Sequence, residues 1–262
     1  MSVAAAAALL RGARAAVALT GAGVSTESGL PDFRSSGGLW AGVDPMRVAS
    51  LTAFRRRPEE FYAFYQKRLA LLRRAQPNPA HHALAALERT GRLQAVITQN
   101  VDGLHHAAGS QRVLEIHGSL RRAACPACGR RTDITALEAA LAAGVLPRCD
   151  VCGSPLKPDV VLFEELLPLD VFTEAERLCT EADVLLVVGS SLQVTPAASL
   201  PQTVLDHGGR LIIINREATP FDAAAAVVLR DAAGVALPAV AHLVAGGFSP
   251  VAEETHRPPA RH

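Results

Sequence analysis

The stretch Thr20-Gly-Ala-Gly-Val-Ser-Thr-Glu-Ser-Gly-Leu-Pro-Asp-Phe-Arg34 decides how the rest of the chain is read. It follows Ala15-Ala-Val-Ala-Leu19, a short apolar run of the kind that forms a buried strand. Gly21 and Gly23 come directly after that strand, where missing side chains let backbone N–H groups approach a pyrophosphate. An ordinary dinucleotide fingerprint continues with a third glycine, a long helix, a second strand and an acid ~20 residues on. Here Gly29-Leu-Pro31 interrupts any long helix, and a polar run from Asp32 to Gly38 follows. The loop is expected to grip a dinucleotide and then extend over it.

Outward from this loop, apolar strand candidates recur at 93–98, 184–188, 210–214 and 226–229, with helical patterns between them at 79–90 and 174–182. Buried strands alternating with helices predict an α/β fold, a Rossmann-like, doubly wound parallel sheet. Two segments break the alternation. Residues 40–76 read as helical and carry Phe54, Phe61, Tyr62, Phe64 and Tyr65, while 119–157 hold two cysteine pairs. Both read as insertions that form a smaller domain, a helical module plus a metal ribbon, beside a large domain of 1–39, 77–118 and 158–248. Residues 249–262 are expected to be a frayed tail.

A length of 262 residues is enough for a sizeable core. A net charge of +1 with 49% hydrophobic residues gives no electrostatic bias toward nucleic acid or membrane. No apolar run approaches the ~20 residues of a membrane span. The alanine-rich, basic residues 1–14 read as a first helix running straight into the strand rather than as a cleaved presequence. These features predict a cytoplasmic protein, with a monomer as the simplest expectation and no signal that fixes the oligomeric state.

Cys125-Pro-Ala-Cys128 and Cys149-Asp-Val-Cys152 are separated by 20 residues, a spacing that suits one tetrahedral zinc. Four thiolates leave no open position, so the metal is expected to be structural. Cys179 stands alone in a helical pattern and reads as core. Arg121, Arg122, Arg130 and Arg131 flank the knuckles, but without interleaved aromatics they read as solvated surface rather than as a nucleic-acid footprint.

Thr98-Gln-Asn-Val-Asp-Gly-Leu-His105 follows the second strand, at the sheet edge where an open α/β fold binds its ligand. Gln99, Asn100 and Asp102 there can hold ribose hydroxyls and a carboxamide. His117 lies between a strand and the cysteine module, a placement suited to general-base work near pH 7. His81, His82, His105 and His106 read as packing or helix-surface residues. Gly189, Ser190 and Ser191, and then Asn215, Arg216 and Glu217, follow two later strands and suit an adenosine half.

Taken together, these motifs resemble the sirtuins, NAD-dependent protein lysine deacylases, of the compact bacterial type. The match runs collinearly from about Ala15 to Pro238 and includes Lys157-Pro-Asp-Val-Val-Leu-Phe163. The resemblance implies a cofactor site of Gly21, Ala22, Gly23, Thr26, Asp32, Phe33, Arg34, Gln99, Asn100, Asp102, Gly189, Ser190, Ser191, Asn215, Arg216 and Glu217. It implies a catalytic base at His117, zinc on Cys125, Cys128, Cys149 and Cys152, and substrate contacts at Val161, Phe163 and Glu164. It also implies consumption of NAD, release of nicotinamide, and transfer of the acyl group from a protein lysine to give O-acyl-ADP-ribose. Acyl-lysine proteins or peptides are then the partners.

Two features depart from the usual pattern. Phe163-Glu164-Glu165 stands where sirtuins have Phe-Gly-Glu, in a loop that pairs with the substrate peptide. Tyr65-Gln-Lys-Arg68 resembles the pair that binds the carboxylate of succinyl- or malonyl-lysine, although Asp32 is the usual aspartate. Acetyl is therefore the expected acyl group, with succinyl or malonyl as further candidates. The alternative is protein ADP-ribosyl transfer at the same site. A dehydrogenase is disfavoured by the missing third glycine, second strand and ribose acid.

Overall fold

The computed structural model describes residues 2–33 and 37–246. The elements run α1 (Val3–Gly12), β1 (Ala16–Thr20), α2 (Pro45–Val48), α3 (Leu51–Arg56), α4 (Pro58–Leu72), α5 (Pro79–Arg89), β2 (Val96–Thr98), α6 (Leu104–Ala107) and β3 (Val113–Glu115). They continue through β4 (Gly118–Ala124), β5 (Arg131–Asp133), α7 (Ile134–Ala142), β6 (Lys157–Val160), α8 (Leu169–Glu181) and β7 (Val184–Val188). The chain then completes the sheet with α9 (Leu200–Asp206), β8 (Arg210–Ile214), β9 (Val227–Leu229) and α10 (Ala233–Val244).

Six strands form one parallel sheet in the order β3-β2-β1-β7-β8-β9. The central strands are buried along their whole length because helices cover both faces. Side chains alternate between the two layers. Ala16, Ala18, Val184, Leu186, Val188 and Ile212 face α1, α5 and α10. Val17, Leu19, Leu185, Val187, Leu211 and Ile213 face α8 and α9, where Cys179 is fully buried. Asp183 ties the strand entrances together by accepting from the N–H groups of Arg14 and Ala15.

The helix ends follow their local chemistry. Ser2 caps α1 through Ala5 N. Asn78 caps α5 with Pro79 in the first turn, and His81 Nδ1 closes the reciprocal bond from Asn78 N at 3.3 Å. Leu169–Glu181 begins five residues before the expected 174, with Pro168 at its N-cap and Asp170 in its first turn, signals that the apolar pattern alone does not reveal.

A second sheet, antiparallel in the order β5-β4-β6, carries the cysteines. Its apolar face, with Leu120, Ala123, Leu156, Val160 and Leu162, packs in one core with Phe54, Phe61, Tyr62, Tyr65 and Leu69 from α3 and α4. Tyr62 Oη donates to Leu156 O at 2.7 Å and fastens helix to sheet. The expected tail at 249–262 lies outside the described residues. Among those described, no helix is long and apolar enough to cross a membrane.

Candidate active site

Strands β1, β2 and β3 run outward in one direction and β7, β8 and β9 in the other, so the sheet has its switch point between β1 and β7. Connections leave the carboxyl ends of these two strands in opposite directions and open a crevice between them. Two glycine loops meet there. Gly21 N donates to Val188 O at 3.1 Å and Gly23 N to Gly189 O at 2.8 Å. A Cβ on Gly21 would sit 2.8 Å from Gly189 O, and one on Gly189 would sit 2.2 Å from Val24 N. These glycines let one loop lie against the other. The amides of Gly21 and Gly23 themselves are bonded within the protein, so the N–H groups that approach a pyrophosphate would be others of the loop.

The segment Ala22–Ser28 is a 3-10 helix that ends at Gly29, whose φ of 80° turns the chain out of it. The turn leads to Asp32 and Phe33, whose carbonyls accept from Leu39 N and Trp40 N. The loop therefore returns on itself at the crevice mouth. Arg34 lies outside the described residues.

A cavity of about 1210 Å³ fills the crevice and runs between the two sheets. That is above the ~300–1,000 Å³ of a pocket for one small molecule, which leaves room for a dinucleotide and part of a second substrate. Its walls bring together Gly21, Ala22, Gly23, Thr26, Asp32, Phe33, Gln99, Asn100, His117, Gly189, Ser190, Ser191, Asn215, Arg216 and Glu217. Tyr65, Arg68, Val161, Phe163 and Glu164 line it from the other side. Asp102 stands behind, in a small recess of about 50 Å³ shared with Ser25, Phe33, Arg68 and Asn100.

The polar groups of this wall are oriented by hydrogen bonds within the protein. Asn100 Nδ2 donates to Gly21 O at 3.1 Å and to Ser25 Oγ at 3.0 Å. Ser25 Oγ donates to Asp102 Oδ2 at 2.7 Å, while Asp102 Oδ1 accepts from Leu104 N at 2.9 Å. Because His81 Nδ1 already accepts from Asn78 N, its Nε2 carries the proton and points it at Ser25 Oγ, 3.4 Å away. Burial pushes the His81 imidazole down to about 4. His81 reads in the sequence as a packing or helix-surface residue and Ser25 was not singled out, since their link to Asp102 spans three separate elements. Loop 215–217 is likewise held from outside, by Arg230 Nη1 donating to Asn215 O at 2.9 Å and Glu217 O at 2.6 Å.

His117 bonds through Nδ1 to Gln99 O at 3.0 Å. A carbonyl only accepts, so Nδ1 holds the proton and Nε2 keeps its lone pair. Burial holds its pKa below the ordinary 6.5, against the raising effect of the Gln99 bond. The ring is therefore neutral at pH 7 and able to take a proton.

Trp40 is a further residue the sequence reading passed over, although it is the only tryptophan and lies two residues after a glycine pair. Its ring contacts Phe33 at 5.6 Å, Phe64 at 5.7 Å and Phe163 at 6.2 Å between centroids. Arg68 lies over Phe33, Phe64 and Tyr65 at 5.6–5.9 Å. Burial pushes the Tyr65 phenol up to about 12.

The four cysteines converge as well. Their sulfurs lie within 4.8 Å of one another, with Cys125 to Cys152 at 3.5 Å and Cys128 to Cys149 at 3.6 Å. A tetrahedral zinc with bonds of ~2.3 Å places its sulfurs ~3.8 Å apart, so this donor set fits the metal. The flanking arginines pair with carboxylates: Arg121 and Arg122 with Glu115, Arg122 and Arg131 with Asp159, and Arg130 with Asp150.

A parallel sheet with a dinucleotide-sized crevice at its switch point, beside a small sheet that carries a four-cysteine site, defines a class of dinucleotide-binding protein with an added metal ribbon. Comparison with known proteins specifies it further. The Sir2 family model matches residues 21–196. An NAD-dependent protein deacetylase of Sulfolobus acidocaldarius is 49% identical over 226 residues, 86% of this chain and 88% of that protein. A solved Sir2 homologue in complex with NAD superposes with a TM-score of 0.86 at 44% identity, covering 93% of this chain and 94% of that one. A Sir2 variant solved with deacetylated p53 peptide and 3'-O-acetyl ADP ribose gives a TM-score of 0.85 at 38% identity, covering 95% of this chain and all (100%) of that one. The chain belongs to the Sir2 family.

Proposed function

We infer that this chain is an NAD-dependent protein lysine deacylase with His117 as its general base. The observation that carries the residue assignment is the His117 tautomer, fixed by Gln99 O, which leaves Nε2 able to accept a proton at the wall of the crevice. NAD is the co-substrate and supplies a ribose carbon from which nicotinamide leaves and to which the acyl oxygen bonds. In this reading His117 takes a proton from a ribose hydroxyl. Asn100, held by Gly21 and Ser25, presents its remaining amide oxygen to the nicotinamide end, and Asp102 fixes Ser25 behind it. Phe33 and Asp32 cover that end against water. Gly189, Ser190 and Ser191, with Asn215, Arg216 and Glu217, hold the adenosine half. Zinc on the four cysteines supplies a structural cross-link.

Acetyl-lysine peptide is the proposed second substrate, entering between Val161–Phe163 and the sheet. Tyr65 and Arg68 stand at the closed end, where the guanidinium keeps its charge and suits a carboxylate. Asp102 also acts on Arg68 electrostatically and competes for that charge. Acetyl is therefore preferred over succinyl. Incubation with NAD and acetylated peptide should release nicotinamide and O-acetyl-ADP-ribose, and His117→Ala should abolish both while the protein stays folded. Full turnover by that variant would reject the base assignment. Labelled ADP-ribose ending on protein instead would support the transferase alternative. Succinyl-peptide turnover above acetyl, lost in Arg68→Met, would reverse the acyl preference.

A further inference from the structure

Residues 161–165 cross from the segment of His117 to the helical module. Val161 N donates to His117 O at 2.9 Å. Phe163 N donates to Ala49 O at 3.1 Å, and Phe163 O accepts from Leu51 N at 3.0 Å, a short parallel bridge to Ser50. Between these anchors and the next turn, Glu164 holds φ at 75°, in the left-handed region. Only Leu192 shares that condition among the described non-glycine residues. A glutamate lacks the short side chain with which asparagine or aspartate bonds its own backbone there. Its conformation needs support from elsewhere.

That support is Thr52. The Glu164 carboxylate accepts from Thr52 N at 2.8 Å and from Thr52 Oγ1 at 3.1 Å. Thr52 is in the first turn of α3, so the acid caps a free helix N–H and meets the favourable end of the helix dipole. The next acid turns the other way. Glu165 accepts from Leu162 N at 2.9 Å and pairs with the buried Lys157 at 2.9 Å, and Lys157 also donates to Val160 O at 2.6 Å. Two adjacent glutamates thus fasten one loop to two different layers.

We propose that Glu164 is a positioning residue for the acyl-peptide: by bonding Thr52 it holds loop 161–165 in its binding shape before the peptide arrives. The inference rests on the deacylase reading of the cavity. A loop already ordered loses less freedom on binding, so the fastening acts on peptide affinity rather than on chemistry. Glu164→Gly relieves the dihedral but releases α3, whereas Glu164→Gln keeps an acceptor for Thr52 N.

Hydrogen exchange without substrates reads the fastening directly. In E164G the Thr52 amide should exchange roughly tenfold faster or more, and in E164Q near the wild-type rate. With acetyl-lysine peptide and NAD, E164G should raise the peptide KM roughly five- to tenfold with kcat and the NAD KM within about twofold, and E164Q should restore most of the loss. An unchanged peptide KM in E164G, or equal impairment in E164Q and E164G, would overturn the proposal, the latter by assigning the effect to the charge itself. If wild-type protein turned over no acyl-peptide, the deacylase reading would fall, and the exchange rates would still decide whether Glu164 fastens the loop.

Discussion

The Nδ1–H of His117 goes to Gln99 O, and burial holds the ring's pKa below 6.5. The bond fixes the tautomer with Nε2 as the basic nitrogen, and burial outweighs the bond's raising effect, so the acid limb of kcat should fall below 6.5, the ordinary histidine value. A limb above that value would show that another group limits the rate. Two other histidines carry a different pH signal. Thr20 Oγ1 donates to Thr98 Oγ1 at 2.8 Å and so accepts from His105 Nε2 at 2.9 Å, which leaves buried His105 Nδ1 with no partner. Burial pushes His105 down to about 3 and His81 to about 4. An unfolded chain takes up these protons near 6.5, whereas the folded one refuses them until pH 4 or below. Their stability contribution is complete above 6.5 and is lost as pH falls, at up to about 1.4 kcal/mol per pH unit for each ring. Urea midpoints should therefore drop between pH 7.5 and 5.5, with a shallower drop in His105→Gln. An unchanged midpoint would mean that neither ring stays neutral.

Elements meet most tightly where the loop after β1 crosses the loop after β7. Gly189 has φ of 61°, and a Cβ there would strike Val24 N at 2.2 Å and Gly23 C at 2.5 Å. Both contacts are backbone and cannot swing aside. Gly189→Ala should destabilise by about 2–5 kcal/mol, combining left-handed strain with overpacking, and should weaken NAD binding because the crevice floor moves. Gly12→Ala meets nothing within 4 Å and provides the control, with stability unchanged or slightly raised. Thermal melts of both variants check the contrast, and equal melting would reject the packing argument. The same crossing shows what the sequence makes legible. The strands at Ala16–Thr20, Val184–Val188 and Arg210–Ile214 were readable because burial on both faces leaves almost unbroken apolar runs. The cavity residues were readable because they cluster just past strand ends. Gly189's role in packing, His81's reach to Ser25 and Trp40's contact with Phe163 were not. Each depends on a partner from a distant segment, and no periodicity encodes such a meeting.

At the scale of the molecule there are two bodies of apolar packing, one on the two faces of the parallel sheet and one under the small sheet. The first needs no metal, since its strands and helices bury each other completely. The second places Cys125 and Cys149 in its own core, with Cys128 and Cys152 at the surface. Each knuckle closes on itself through Gly129 N to Cys125 O and Gly153 N to Cys149 O. The Arg148–Pro155 bridge closes only the second knuckle, so apart from the exposed Arg130–Asp150 ion pair, a zinc on the four sulfurs is what would join one knuckle to the other. Chelation should therefore melt the small core first, seen as a separate low-temperature transition, while exchange protection in β1, β7 and β8 persists. Activity should vanish with it although zinc touches no substrate, because Tyr65, Val160 and Leu162 belong to that core and also line the cavity. Restored zinc should bring back both the single transition and the turnover. Full activity in metal-free protein, or simultaneous loss of protection in both sheets, would show that the cysteine module does not hold the cavity wall in this way.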